Sequence, residues 1–532
     1  MTHLNSTRRG LLKGIAAGGA SLTFAGYASA GDSDRYIVTA RGEVDRRLER
    51  AGFTVRRSLA DGDVLVVSGS GDPTDVRGVK EAVRDARFRF ERPVERQPAE
   101  DPAAETEDES LYPLQWDKQV TNAAEAHETT TGDGATVAII DTGTDLDHPD
   151  LAPNVTPGAL FRRVAGRGDD VVDSLGDGLY AGVTEVRVPT QPELDPYAVT
   201  DYEGNIVGYE PAGFDEEQRD ASEDVEGHGS HVSGIAAATV GEEVFPRFTG
   251  VAGMAPDATI VPHRVFYWEL QKVTYEPTEG DEETDELVVT STTTADILTA
   301  IDFAANELGV DAMNMSIGTP PLPPQLNRAG FRQAYRLVIQ DAVNAGSFVA
   351  VSAGNSDTEL NAGGVFTVPN SVPGATSIGA TGPNDKRTFY SNYGANELSL
   401  AAPGGAYETL AKTLCTEDGI ILGTCEEDEE TGEVECEECE PPEWPFPYNL
   451  VLSTTPPDIY GAAYAYFAGT SMAAPQVAGA AALLAAETSL NPHQIETTLE
   501  RTAETATGTD RRELGAGRLD AGAAVDDAVD SE

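Results

Sequence analysis

Positive charge is what this chain most lacks. Its 532 residues carry 36 lysines and arginines against 90 aspartates and glutamates, a formal net charge of −54, and only six of the cations are lysines. Such a balance leaves no basic patch for a phosphate backbone and argues against nucleic-acid binding. It also makes a compact state repel itself in dilute buffer. Molar salt shortens the screening length to about 3 Å and removes most of that cost. Acidic clusters for calcium or for a basic partner would explain local runs only. An excess spread over the chain points to a surface adapted to high salt. With 40% hydrophobic residues there is ample material for a core, so the acidity is not that of a disordered chain.

Cysteine is sparse too. The four, Cys415, Cys425, Cys436 and Cys439, lie within one 25-residue window. In an exported chain they read as two disulfides with three possible pairings, and the Cys436-x-x-Cys439 spacing leaves a zinc knot as the alternative. Either way they staple a surface insertion. Long apolar runs are missing beyond the N-terminus. Residues 1–30 read as an export signal: Thr7-Arg8-Arg9-Gly10-Leu11-Leu12-Lys13 has the form of a twin-arginine motif, and Ala28-Ser29-Ala30 suits a cleavage site. No cysteine stands there to take a lipid, so the expectation is a secreted protein with no membrane anchor once the signal is removed.

Between 31 and 100 there are 14 acidic and 14 basic residues; beyond 100 there are 76 and 19. Residues 33–97 therefore form a neutral unit before an acidic one. Apolar spacing predicts strands at 35–40, 53–59, 64–67 and 87–94 and helices at 43–51 and 73–86, a βαββαβ ferredoxin-like unit. A Pro/Ala/Glu-rich linker, 98–112, follows and offers an easy place for cleavage. From 113 to 525 strands alternate with helices. Strands are expected at 136–141, 258–265, 312–317, 348–352 and 375–380, and helices at 228–240, 293–308, 325–345 and 471–487. That alternation predicts an α/β fold, a parallel sheet flanked by helices.

Four short blocks carry the chemistry. Val137-Ala138-Ile139-Ile140-Asp141-Thr142-Gly143 reads as a buried strand ending in a carboxylate. Gly227-His228-Gly229-Ser230-His231-Val232-Ser233-Gly234 places a histidine at the mouth of a small-residue helix. Ser352-Ala353-Gly354-Asn355-Ser356 supplies an amide. Gly469-Thr470-Ser471-Met472-Ala473-Ala474-Pro475 sets a serine at the start of a buried helix. A serine hydroxyl needs a base and an oriented acid behind it. These blocks, in the order Asp, His, Ser, resemble the subtilases, the subtilisin-like serine peptidases, and with the acidic surface and apparent export signal they resemble the haloarchaeal extracellular halolysin-type members.

The resemblance implies a subtilisin-like fold and a protease acting on protein and peptide substrates, with no cofactor required for its chemistry. It implies Ser471 as nucleophile, His228 as base, Asp141 as its orienting partner and Asn355 as oxyanion donor. Ser316, Ile317 and Gly318 match the strip that pairs with substrate, and Ala353 and Gly354 its facing edge. Residues 33–97 match a propeptide that inhibits its own enzyme; an accessory domain is the plainer alternative. Asp150 matches a position that often ligates structural calcium, although the loop near 240–250 departs from the family pattern. His148 falls in a structural turn, and His231 reads as a packed helix residue. Three stretches, 152–226, 268–291 and 406–460, have no counterpart in the compact family pattern and read as insertions.

Overall fold

A computed structural model describes residues 34–531 except 91–93, 99–109, 163–170, 174–182, 187–194, 203–205, 215, 240–249, 278–281, 323, 325–329, 417–418, 421–425, 428–433, 436–438 and 506–509. The expected signal segment, nearly all of the linker, the loop at 240–249, Cys425 and Cys436 lie outside the described residues.

The N-terminal unit is an antiparallel sheet of β1 (Arg35–Ala40), β2 (Thr54–Leu59), β3 (Val64–Ser68) and β4 (Val79–Arg84), ordered β2-β3-β1-β4, with α1 (Asp45–Arg50) after β1. β3 reads Val-Leu-Val-Val because both its faces are covered. Leu65 and Val67 pack with Val38, Val44 and Leu48. Val64 and Val66 pack with Ile37 into a core shared with the larger unit. The helix expected over 73–86 is absent. A single 3-10 turn, Pro73–Asp75, leads directly into β4. Gly78 lies between them at φ +111°, a left-handed state that glycine tolerates and a continuous helix cannot hold. Val76, Val79 and Val83 keep helical spacing, but β-branched residues serve a strand as well. The unit is thus βαβββ. The expected last strand also leaves it, since β5 (Arg87–Arg89) and β6 (Glu95–Pro98) pair with the larger unit.

The larger unit opens with β7 (Thr136–Asp141), β8 (Ala159–Phe161), β9 (Val171–Asp173), α2 (His228–Ala237) and β10 (Thr259–Arg264). A hairpin of β11 (Tyr267–Tyr275) and β12 (Glu283–Thr293) precedes α3 (Thr294–Asp302). Then come β13 (Ala312–Met315), α4 (Phe331–Ala345), β14 (Phe348–Ser352), β15 (Thr376–Thr381) and β16 (Leu400–Pro403). It closes with β17 (Val451–Thr454), β18 (Tyr464–Ala468), and three helices, α5 (Thr470–Glu487), α6 (Pro492–Thr502) and α7 (Ala521–Ser531).

The main sheet runs β16-β15-β14-β13-β7-β10-β8-β9, parallel up to β8, with β9 antiparallel at the edge. The apolar run of β7 is explained by helices on both faces. Val137 and Ile139 join the core with α2 and α5; Ala138 and Ile140 join the core with α3 and α4. The parallel arrangement carries the carboxyl ends of β7, β13 and β14 to one edge, where a site belongs.

The expected insertions prove partly structural. β8, inside 152–226, is fully buried in the main sheet. The paired strands β11 and β12 span most of the described residues of 268–291 and form a second sheet with Ala198–Thr200 and Ile206–Tyr209. Within 406–460, Cys415 is disulfide-bonded to Cys439. A bonded sulfur is no thiolate ligand, so Cys439 cannot serve the zinc alternative. β17, at the end of that stretch, is core and pairs with β18.

Candidate active site

Two chain segments meet where β7 ends and α2 begins. The imidazole Nδ1 of His228 lies 2.7 Å from Asp141 Oδ1, which also accepts the Thr142 N–H at 2.8 Å. Gly229 makes the approach possible, because a Cβ there would collide with the Gly143 carbonyl oxygen. Asp224 ties both segments together. Its carboxylate accepts the Thr142 hydroxyl at 2.8 Å, the N–H groups of Glu226 and Gly227, and both the N–H and hydroxyl of Ser230. It thereby satisfies orphan donors of the first turn of α2 and sets a negative charge at its positive end. No motif marks Asp224; its one signal in the sequence is an acid four residues before a helix-opening histidine.

Burial pulls the His228 imidazole toward the neutral form. The charge and hydrogen bond of Asp141 outweigh it, with Glu226 and Asp224 adding, so the net shift is upward. Among the described residues its Nε2 has no hydrogen-bond partner.

Ser471 sits in the first turn of α5 and is 8% exposed. Its hydroxyl donates to the Ser316 carbonyl at 3.3 Å, and its own carbonyl accepts the Ser316 hydroxyl at 2.7 Å. The Ser471–His228 hydrogen bond is therefore not made here. Such catalytic contacts commonly tighten only around substrate. Asn355 is fixed by its oxygen, which accepts the Thr470 N–H and hydroxyl, each at 2.9 Å. With the oxygen so engaged, the amide N–H donors are left for another acceptor. Asn355 and Ser471 line one cavity, together with Ser316, Ile317, Gly318 and Gly354. The expected neighbour Ala353 is not on that wall. It is fully buried, its carbonyl accepts Asn392 Nδ2 at 2.9 Å, and Ser352 faces the cavity in its place.

Residues of the N-terminal unit occupy the same cavity. Phe88, Arg89 and Phe90 line it. β5 pairs antiparallel with β12, Phe88 opposite Thr292 and Arg89 opposite Ser291, and the Phe90 N–H donates to the Thr290 carbonyl at 2.9 Å. The Phe90 ring stands edge-on to His228 and to Phe266, each at 5.1 Å. Further on, the Val94 N–H donates to the Ala468 carbonyl at 2.9 Å, and β6 continues along β18. The tail thus pairs with Thr290–Thr293, and Ser316–Gly318, the strip expected to pair with substrate, lines the same cavity. No motif marks the Thr290–Thr293 edge, because main-chain pairing asks little of side chains.

A second anchor holds this unit. Arg35 is buried between Asp85 of its own unit and Asp296 of α3, and also donates to Thr293. Burial pushes Asp296 up to about 6 despite the arginine beside it.

The model of the subtilase family, peptidase S8, matches residues 132–517. The chain belongs to the subtilase family. It is 30% identical over 401 residues to the extracellular basic protease of Dichelobacter nodosus, a match covering 74% of this chain and 51% of the relative. With thermitase of Thermoactinomyces vulgaris it shares 26% identity over 398 residues, 74% of this chain and 90% of the relative. The chain spans about half the length of the first of these relatives. An epidermin leader peptide processing serine protease from Staphylococcus aureus, 19% identical, superposes with a TM-score of 0.57 over 92% of this chain and 97% of the other, a likeness of fold.

Other residues of this subtilase are structural. His231 stacks on Phe467 at 4.1 Å, and its Nε2 lies 3.0 Å from the Ala465 carbonyl. The His148 Nε2 lies 2.9 Å from the Ala463 carbonyl. Asp150, expected as a calcium ligand, is described here without most of its expected partner loop, since 240–249 lies outside the described residues. One of its oxygens accepts the Val251 N–H at 2.9 Å and the Tyr464 hydroxyl at 3.0 Å.

Asn355→Ala should lower turnover by about 100- to 1,000-fold with little change in substrate binding, because the oxyanion forms only after attack. Steady-state kinetics on a peptide substrate checks this. A change confined to KM would remove Asn355 from that role.

Proposed function

We propose that this subtilase is a serine endopeptidase, exported, matured from a precursor by its own activity, and adapted to concentrated salt. The observation that carries the peptidase reading is the Asp141–His228 bond, with Ser471 and Asn355 on a cavity whose Phe90 ring stands on His228. The Ser471 Oγ attacks a peptide carbonyl and His228 Nε2 takes its proton. The oxyanion is received by the Asn355 amide and the Ser471 N–H. His228 returns the proton to the leaving amine, and water then releases the acyl group by the same path. Asp141 holds the imidazole tautomer and stabilises the imidazolium.

Relatives named as extracellular proteases support secretion. The N-terminal unit supports the precursor reading, since its tail lies across His228 and excludes other chains. Fluorophosphonate labelling of the matured protein tests the chemistry. An unmodified Ser471 would instead make this a peptide-binding relative without catalysis. A dedicated processing peptidase differs in range, which cleavage of casein and of a peptide library measures.

Salt adaptation has its own test. Activity and compactness should both fail as salt is lowered at neutral pH, because 76 acids face 19 bases beyond residue 100 and repulsion grows as screening weakens. If charge is the cause, protonating carboxylates at low pH in low salt should partly restore compactness. Activity should stay lost, because His228 must be neutral to act as base. Circular dichroism and activity across salt at two pH values separate these. Full stability in dilute neutral buffer would end the salt argument alone.

A further inference from the structure

The bound tail reads Arg87-Phe88-Arg89-Phe90, and its side chains divide by parity, as in any strand. Phe88 and Phe90 face the cavity. The Phe88 ring lies 6.0 Å from Phe331, and Phe90 stands on His228 and Phe266. The arginines meet the second sheet, whose other strands come largely from the two stretches 152–226 and 268–291. Arg87 Nε lies 3.1 Å from Glu269 of β11. Arg89 Nη1 donates to the Val207 carbonyl at 3.4 Å. Glu269 is set in place by its own sheet, for the same carboxylate oxygen accepts Gln271 Nε2 at 2.5 Å and the Ser291 hydroxyl. A carboxylate anchored by two local donors beside a strand-pairing edge is a recognition element, and here it meets a cation.

We infer that this second sheet is a specificity surface: it selects extended segments that alternate basic and aromatic side chains, with a cation facing Glu269 and aromatic rings on Phe266 and Phe331. The inference deepens the peptidase reading and rests on it. Main-chain pairing to Thr290–Thr293 supplies affinity for any extended chain. The charged face supplies discrimination, which comes mainly from rejecting like charge. Glu269 is about a quarter exposed and Arg87 about two fifths, so the attraction itself is screened and modest.

The test uses fluorogenic peptides with Arg-Phe-Arg-Phe or Glu-Phe-Arg-Phe upstream of the cleaved bond. The matured enzyme should prefer the first by about tenfold in kcat/KM, mostly through KM. Glu269→Arg should invert the order, and Glu269→Gln should level it if the arginine variant folds poorly. Glu286→Gln, on the exposed side of β12, should change nothing. A preference that ignores Glu269 overturns the inference.

A second arm needs no catalysis. In the full chain carrying Ser471→Ala, Glu269→Arg should speed hydrogen exchange at the Arg87–Phe90 amides, and adding Arg87→Glu should slow it again. If no peptide is cut while this coupling holds, the peptidase reading falls and strand recognition stands. Absent coupling overturns the recognition. Coupling in the full chain alongside peptide cleavage blind to charge also overturns it, leaving only a contact internal to the precursor.

Discussion

Ser471→Ala is expected to lower proteolysis by about 10⁶-fold and to leave a single uncut chain that still contains residues 33–97. Both effects have one source. Without Oγ there is no acyl-enzyme, and what remains is the oxyanion donors and binding, which cannot cut at a useful rate. The precursor should nevertheless fold. The Ser471 hydroxyl makes one bond, to the Ser316 carbonyl at 3.3 Å, and the reverse bond from the Ser316 hydroxyl goes to a backbone carbonyl that alanine keeps. Intact mass of the variant, produced in a host without other extracellular proteases, reads the outcome directly. A normally shortened product would mean that another enzyme performs the maturation. An unfolded product would mean that Ser471 is structural, and circular dichroism separates that case from the first.

The parts of the site that sequence discloses are those where chemistry restricts residue type. Asp141, His228 and Ser471 fall on three elements and Asn355 in the loop after β14, yet each carries flanking residues set by geometry, such as the glycine after His228 that admits the Gly143 carbonyl. The strands of the main sheet are legible for a related reason. Burial on both faces demands unbroken apolar runs, and 136–141 and 348–352 match the structure to the residue.

What escapes is whatever rests on backbone or on a distant partner. Thr290–Thr293 pairs with the tail through N–H and C=O groups that every residue has. Asp224 works through five donors that its sequence neighbours do not announce. The helix misread at 73–86 shows valine periodicity defeated by one left-handed glycine. The place of β8 in the main sheet also escapes, because it is too short a strand to stand out within an acidic stretch.

The insertions gain a physical sense from the tail. A strongly acidic surface gives little reason for selectivity among peptides, since it attracts any cation. The second sheet adds position: Glu269 and Val207 meet side chains of one parity, while Phe266 and Phe331 meet the other. The neutral, arginine-rich N-terminal unit then has a reason for its composition, because the residues that suit this edge are those it carries.

Asp141→Asn should lower turnover by about 10⁴-fold and move the acid limb of the pH–rate profile to lower pH. An amide at this position can accept from Nδ1–H only through its oxygen, and a flipped amide favours the tautomer that leaves Nε2 protonated and useless as a base. The shift has a definite sign. In the native protein burial favours neutral His228, but the Asp141 charge and hydrogen bond win, so its pKa stands above the ordinary imidazole value. Activity is lost as pH falls through that raised value. Removing the charge leaves burial dominant, lowers the pKa, and carries the loss to lower pH. Release of the tail lessens burial while Asp141 stays, so the native upward shift persists in the matured enzyme. Stability follows by linkage. A raised imidazole pKa contributes stability that is complete below the unfolded value of about 6.5 and is lost as pH rises through the folded one. The variant should therefore lose more stability in mildly acidic than in alkaline buffer. Paired kcat/KM profiles and chemical unfolding at two pH values measure both signs. An acid limb that stays in place, or moves upward, would show that Asp141 does not set the protonation of His228.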